Sequence, residues 1–212
     1  MTETLQVTIS GWESGQPIPE TFAFGVPGSE GLMDFGQNLS PAIRWSGAPE
    51  GTKSYAIVCH DPDVPSKVDD VNQEGKTVPK DLPRVDFYHW VLVDIPASMT
   101  GLAEGTDSDR VTPGGKDPGP TDHGKRGINT YTQFLAGMEG MAGEYAGYDG
   151  PCPPWNDERV HHYIFTVYAL DVPTLDLPDK FDGPAALKAM QGHILAQGTY
   201  EGTYTLNKAL RG

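Results

Sequence analysis

Glycine and proline cut this chain into short lengths. Its 212 residues include 26 glycines and 19 prolines. Neither suits the interior of a long regular element: glycine loses the most backbone entropy there, and proline removes a backbone donor. Between these breaks, apolar, β-branched and aromatic residues gather into compact runs instead of thinning out. That pattern points to a loop-rich β protein and away from disorder. The length suits one domain with a sizeable core, and a single unit over residues 1–212 is expected.

The runs read as strands separated by turn signals. Leu5, Val7 and Ile9 alternate with polar residues, and Pro17, Pro19, Gly25, Pro27, Gly28 and Gly31 then punctuate an irregular stretch. Residues 42–45 form a second short strand. Residues 55–59 are apolar at every position, as in a strand covered on both faces, and should stop at Asp61-Pro62-Asp63. A fourth strand covers 87–93 and a fifth 162–170. Residues 68–84 read as an exposed loop, and 101–127 as a long excursion with little structure of its own. One helix is expected after Asp182-Gly183-Pro184, capped by Asp182, with Leu187, Met190 and Ile194 inward and Gly198 closing it. A last strand covers 203–206. The pattern predicts a β-sandwich with one late helix added.

The formal net charge of -14 argues against nucleic acid and against an anionic bilayer. No apolar run reaches membrane-spanning length, so stable membrane insertion is not expected. The N-terminus beginning Met1-Thr2-Glu3 lacks the basic and apolar regions of a secretory signal, and a cytoplasmic location is the expectation. Cys59 and Cys152 do not make a disulfide framework.

Chemistry-bearing residues fall near strand ends. Asp61 follows the third strand, His89 lies near the start of the fourth, and His161 and Tyr163 open the fifth. Period-two alternation puts His161 and Tyr163 on one face and His162 on the other. The Gly/Pro run Tyr148-Asp149-Gly150-Pro151-Cys152-Pro153-Pro154 should form a rigid loop beside them.

Asn38-Leu39-Ser40-Pro41-Ala42-Ile43-Arg44-Trp45, then Asp61-Pro62-Asp63-Val64-Pro65-Ser66, His89-Trp90, Gly150-Pro151-Cys152-Pro153-Pro154 and His161-His162-Tyr163 occur in this order. Together they resemble the phosphatidylethanolamine-binding protein family, and its bacterial and archaeal Raf-kinase-inhibitor-like branch in particular. The resemblance spans roughly residues 5–206. It implies an all-β, antiparallel Greek-key β-sandwich with a C-terminal helix and long loops. It also implies a small pocket for phosphate-like anions or phosphorylated headgroups, lined by Asp61, Asp63, His89, Cys152, Pro153, His161 and Tyr163. His162 stands where the family's HRY signature has arginine. No cofactor is implied, a homodimer is allowed, and regulation of a protein partner rests on the analogy alone.

Imidazole, phenol and loop backbone N–H groups can supply the donors that an anion needs. Asp61 fits best as an acceptor orienting an imidazole and favouring its charged form. Since the body is acidic, weak affinity or a zwitterionic ligand such as phosphoethanolamine is expected. His60, His162 and His193 read as structural, Cys59, Trp45, Trp90 and Phe165 as core, and Cys152 as a minor candidate for a reactive thiol.

The competing readings are a hydrolase, with Asp61 and His161 activating water or Ser66, and an interaction module with a vestigial pocket. Residues 119–126 nearly spell a phosphate-binding P-loop, but Arg126 replaces the required Ser or Thr and no strand precedes it. Glycines 137–150 suggest a mobile lid. No paired metal motif is present, and only Asp61, His89 and His161 could share an ion.

Overall fold

Alternation in the sequence becomes a two-layer β structure. The computed structural model describes residues 3–29 and 32–211; Met1, Thr2, Glu30, Gly31 and Gly212 lie outside the described residues. The strands in chain order begin with β1 (Glu3–Thr4), β2 (Gln6–Ile9), β3 (Gly25–Pro27), β4 (Met33–Phe35), β5 (Ile43–Ser46) and β6 (Ser54–Pro65). They continue with β7 (Arg84–Pro96), β8 (Gly101–Leu102), β9 (Gly119–Thr121), β10 (Gly124–Arg126), β11 (His161–Leu170) and β12 (Ile194–Tyr204). Among the described residues, two α-helices, α1 (Tyr131–Phe134) and α2 (Gly183–Met190), and two 3-10 turns, Glu20–Phe22 and Lys208–Leu210, complete the fold. The main sheet runs β1-β12-β11-β6-β7-β10-β9 and is antiparallel except at the short β1–β12 pair. A second sheet, β2-β5-β8, faces it.

The central strand is β6, as its unbroken apolar run implies. Ile57 and Cys59 point into the sandwich with Trp45, Trp90, Leu92 and Phe165, while Ala56 and Val58 point to the other face, where Phe181, Ala186 and Met190 cover them. That outer face is covered by α2 and the segment before it; the helix is started by Asp182, whose side chain accepts from the Ala185 amide at 2.9 Å.

Several boundaries differ from expectation. Strand β6 runs through Pro62 to Pro65, because register shifts after Cys59 and Asp61 accommodate the prolines. The helix ends at Met190 near Gly192, whose φ is +84°; Ile194 and Gly198 belong instead to β12. Gly198 has its own reason there, since a Cβ would collide with the Leu5 carbonyl oxygen. The 101–127 excursion carries β8 and the β9–β10 hairpin, so the P-loop-like run is a hairpin on the sheet edge. The glycine-rich segment is no lid at its C-terminal end: residues 145–151 are buried, and a Cβ on Gly150 would collide with the Phe22 carbonyl oxygen.

Candidate ligand-binding site

The proline loop is held from three sides. Asp149 exchanges two hydrogen bonds with His89: its amide donates to the His89 carbonyl at 2.9 Å, and its carbonyl accepts from His89 Nδ1 at 2.8 Å. Asn38, in the left-handed region at φ 55°, accepts from the Gly150 amide at 2.8 Å and donates to the Asp149 carboxylate at 2.8 Å. Tyr131 donates to the Gly150 carbonyl at 2.7 Å, and the Phe24 and Gly25 amides donate to that of Pro151. The expectation that this loop offers free backbone donors is therefore corrected at 149 and 150, whose N–H groups are taken within the protein.

Beside this loop a cavity of about 70 Å³ opens at the end of the sandwich. Asp61, His89, Cys152, Pro153, His161 and Tyr163 line it, brought together by β6, β7, the loop and β11. Its walls are mostly apolar, Val64, Pro65, Phe87 and Phe134 with Val68 and Val71 from the 68–84 loop, and that loop also brings the polar Asn72. Asp63 is not among the lining residues. The register shift between Asp61 and Val64 sends its carboxylate to Arg159 (3.0 Å) and to the His162 amide and ring (3.0 and 2.8 Å). His162 itself points away from the cleft and is half exposed, as period two requires.

His161 has no free nitrogen. Its Nδ1 bonds Asp61 Oδ2 at 2.6 Å and its Nε2 bonds Asp157 Oδ2 at 3.0 Å. Two carboxylates on one imidazole require both ring nitrogens to donate. Burial alone would lower its pKa, but the Asp61 charge and the Asp157 hydrogen bond outweigh it and push it up to about 9. Asp157 also takes a two-pronged bond from Arg84 at 2.5 and 3.0 Å, and Arg84 and His161 together hold its carboxyl low against burial. The second oxygen of Asp61 accepts from the Asp63 amide at 2.7 Å. Asp61 thus orients and charges an imidazole, as expected, but His161 has no donor left for a ligand.

His89 is the opposite case. Burial drives its pKa down to about 4, against the raising influence of Asp61 and of the Asp149 carbonyl. It is therefore neutral at pH 7. Since Nδ1 must carry the proton given to Asp149, Nε2 carries a lone pair, and no protein group among the described residues bonds it. Next to it, 5.1 Å between ring centroids, stands Tyr163, whose buried hydroxyl has no partner. The other such atom among the described residues, the Trp45 indole nitrogen, belongs to the sandwich core. Burial also pushes the Cys152 thiol up to about 12, which removes it as a reactive thiolate. No metal-holding cluster occurs among the described residues.

Asp157, Arg84, Asn38 and Tyr131 are the supporting neighbours of the cleft that the sequence did not single out as side chains. Asp157 and Arg84 lie just outside motif boundaries, and their meeting depends on a fold of the 68–84 loop that no periodicity encodes. Asn38 opens the first of the family-like motifs, yet its partner lies 111 positions away.

The sequence profile described as "Phosphatidylethanolamine-binding protein" matches residues 8–205. A UPF0098 protein of Methanothermobacter thermautotrophicus is 34% identical over 80% of this chain and 84% of its own length. UPF0098 protein YbcL of Escherichia coli is 31% identical over 90% of this chain and 79% of its own. The crystal structure of E. coli YbcL, described as a new member of the mammalian PEBP family, aligns with a TM-score of 0.66 and 26% identity over 95% of this chain and 98% of that one. A putative PEBP homologue from Chlamydia trachomatis, CT736, aligns with a TM-score of 0.61 and 27% identity over 96% and 98%. The chain therefore belongs to the phosphatidylethanolamine-binding protein family.

Proposed function

We propose that this chain is a binding protein whose cleft takes a phosphate-like group or a phosphorylated headgroup. The Tyr163 hydroxyl carries the reading: it is buried and lacks a partner, and its ring packs edge-on to that of His89 in the lining of the same cleft. Buried polar atoms are nearly always satisfied, so an orphan at a cleft calls for a ligand atom. The family's name supports the same ligand class.

The charged floor adds little attraction. Asp61 and Asp157 are matched by His161 and Arg84, and Asp63 by Arg159. Affinity should accordingly be modest, and a ligand amine could approach the Asp61 carboxylate. The hydrolase reading loses support, because His161 has no lone pair with which to act as a base and Ser66 is exposed and outside the lining.

A thermal-shift titration tests the proposal. Inorganic phosphate and phosphoethanolamine should raise the melting temperature saturably. A melting temperature unmoved by either would favour an interaction module whose pocket is vestigial.

A further inference from the structure

We propose that the Asn72 side chain is a ligand contact, its Nδ2 group donating from the 68–84 loop to the phosphoryl oxygens that the Tyr163 hydroxyl also meets. The inference rests on the phosphate reading and deepens it by naming a second donor. That donor lies outside every motif that carries the family resemblance.

An anion needs donors, and few polar side chains in the lining have any to give. Both oxygens of Asp61 accept within the protein, and both ring nitrogens of His161 are spent on carboxylates. His89 directs its Nδ1 at the Asp149 carbonyl. The Tyr163 hydroxyl, the Cys152 thiol and the Asn72 amide are what remain among the side chains. A thiol is a weak donor, whereas a primary amide carries two N–H groups. Among the described residues, no protein acceptor takes those of Asn72.

The neighbours of Asn72 fix which end of the amide is left over. Its Oδ1 accepts from the Trp155 amide at 3.0 Å, so the NH2 end is the one without a partner. Its backbone sits in the left-handed region at φ 56°, which asparagine tolerates better than most residues, and its own N–H donates to Asn156 Oδ1 at 2.9 Å. Asn156 is buried and returns the favour to the loop, its Nδ2 donating to the Asp70 and Lys76 carbonyls at 2.8 and 3.1 Å while its carbonyl accepts from the Val78 amide at 3.0 Å. The loop is thus moulded onto residues 155–158, which continue directly from the proline loop. Val68 and Val71 line the same cleft, and Asn72, beside them and exposed, stands where an incoming ligand would meet it. A donor anchored in this way needs little further ordering when a ligand arrives.

Asn72→Asp separates binding from loop structure. Aspartate keeps an acceptor for the Trp155 amide and tolerates the left-handed backbone, but it has no N–H to give and adds a negative charge. The ligand-free full chain should therefore melt within about 2 °C of wild type. In titration calorimetry with inorganic phosphate and with phosphoethanolamine at pH 7, its affinity should fall roughly tenfold or more. Asn72→Gly keeps the backbone without adding charge and should still lose roughly threefold or more. In NMR spectra of the wild-type chain, the Asn72 side-chain NH2 resonances, identified by their absence from the aspartate variant, should move saturably with phosphate. That readout decides the matter if the aspartate variant melts several degrees low. Resonances that stay still while phosphate binds, unchanged affinity in both variants, or a loss confined to the charged one overturns the inference and leaves the phosphate reading standing. No phosphate binding by the wild-type chain overturns both.

Discussion

Replacing Tyr163 with phenylalanine should make the protein more stable and less able to bind. An unsatisfied buried hydroxyl costs about 1–3 kcal/mol. The phenol oxygen is buried without a partner, and the ring is fixed against His89 at 5.1 Å between centroids. Phenylalanine keeps the ring and removes the orphan, so Tyr163→Phe should gain about 1 kcal/mol. For a chain of this length that is a rise of roughly 2–4 °C in melting temperature. Binding should move the other way. A hydrogen bond to a charged group contributes about 1.5–3 kcal/mol, or roughly a 10- to 150-fold loss of affinity. At a phosphate concentration about 100 times the wild-type Kd, ligand stabilisation of about 2.7 kcal/mol should then fall below about 1.5 kcal/mol. Differential scanning calorimetry with and without phosphate reads both effects. A variant that melts several degrees lower, or that keeps the full phosphate shift, would refute the assignment of this hydroxyl to the ligand.

Stability should pass through a maximum near pH 6.5. His89, depressed to about 4, removes stability as pH falls from 6.5 toward 4, because the unfolded chain binds the extra proton; His161, raised to about 9, contributes stability that is complete below 6.5 and lost as pH climbs through 9. Each limb is worth up to about 3 kcal/mol, and urea midpoints at pH 5, 6.5 and 9 test them separately: no fall from 6.5 to 5 refutes the His89 assignment, and no fall from 6.5 to 9 refutes that of His161. Asp157→Asn strips the charge that pairs with both Arg84 and His161, and should cost about 3–5 kcal/mol by urea denaturation. Gly150→Ala drives a Cβ against the Phe22 carbonyl and should cost at least about 2 kcal/mol while lowering phosphate affinity, whereas a neutral result would show that the loop yields easily.

Much of the fold was visible because the governing periods are local. The apolar run at 55–59 marked the central strand, and Asp182 with Pro184 marked the helix start. The misplaced helix end shows the limit: the Leu187, Met190, Ile194 spacing is compatible with a helix, but Gly192 at φ +84° breaks it and pairing with β11 claims residues 194–204. Period two also placed His161 and Tyr163 in the cleft and His162 outside it. What could not be read was the difference between two histidines in similar motifs. His161 is charged because Asp157 and Asp61 converge on it, and His89 is neutral because it meets a carbonyl in a buried niche. These environments are set by partners 4 to 100 positions away. Asp63 missed the cleft because a register shift, invisible in the motif, turned it outward.

Asp157 ties segments outside the sheet to the strand ends beside the cleft. Its side chain holds Arg84 and His161, its carbonyl accepts from Asn207 near the C-terminus, and it bridges to Val78, whose amide and carbonyl bond the neighbouring residues Asn156 and Glu158. A segment stitched this way does not fray piecemeal. Amide protons at Val78 and Glu158 should exchange with deuterium at one shared rate, so that the cover over the cleft and the tail near Asn207 open as a single cooperative unit.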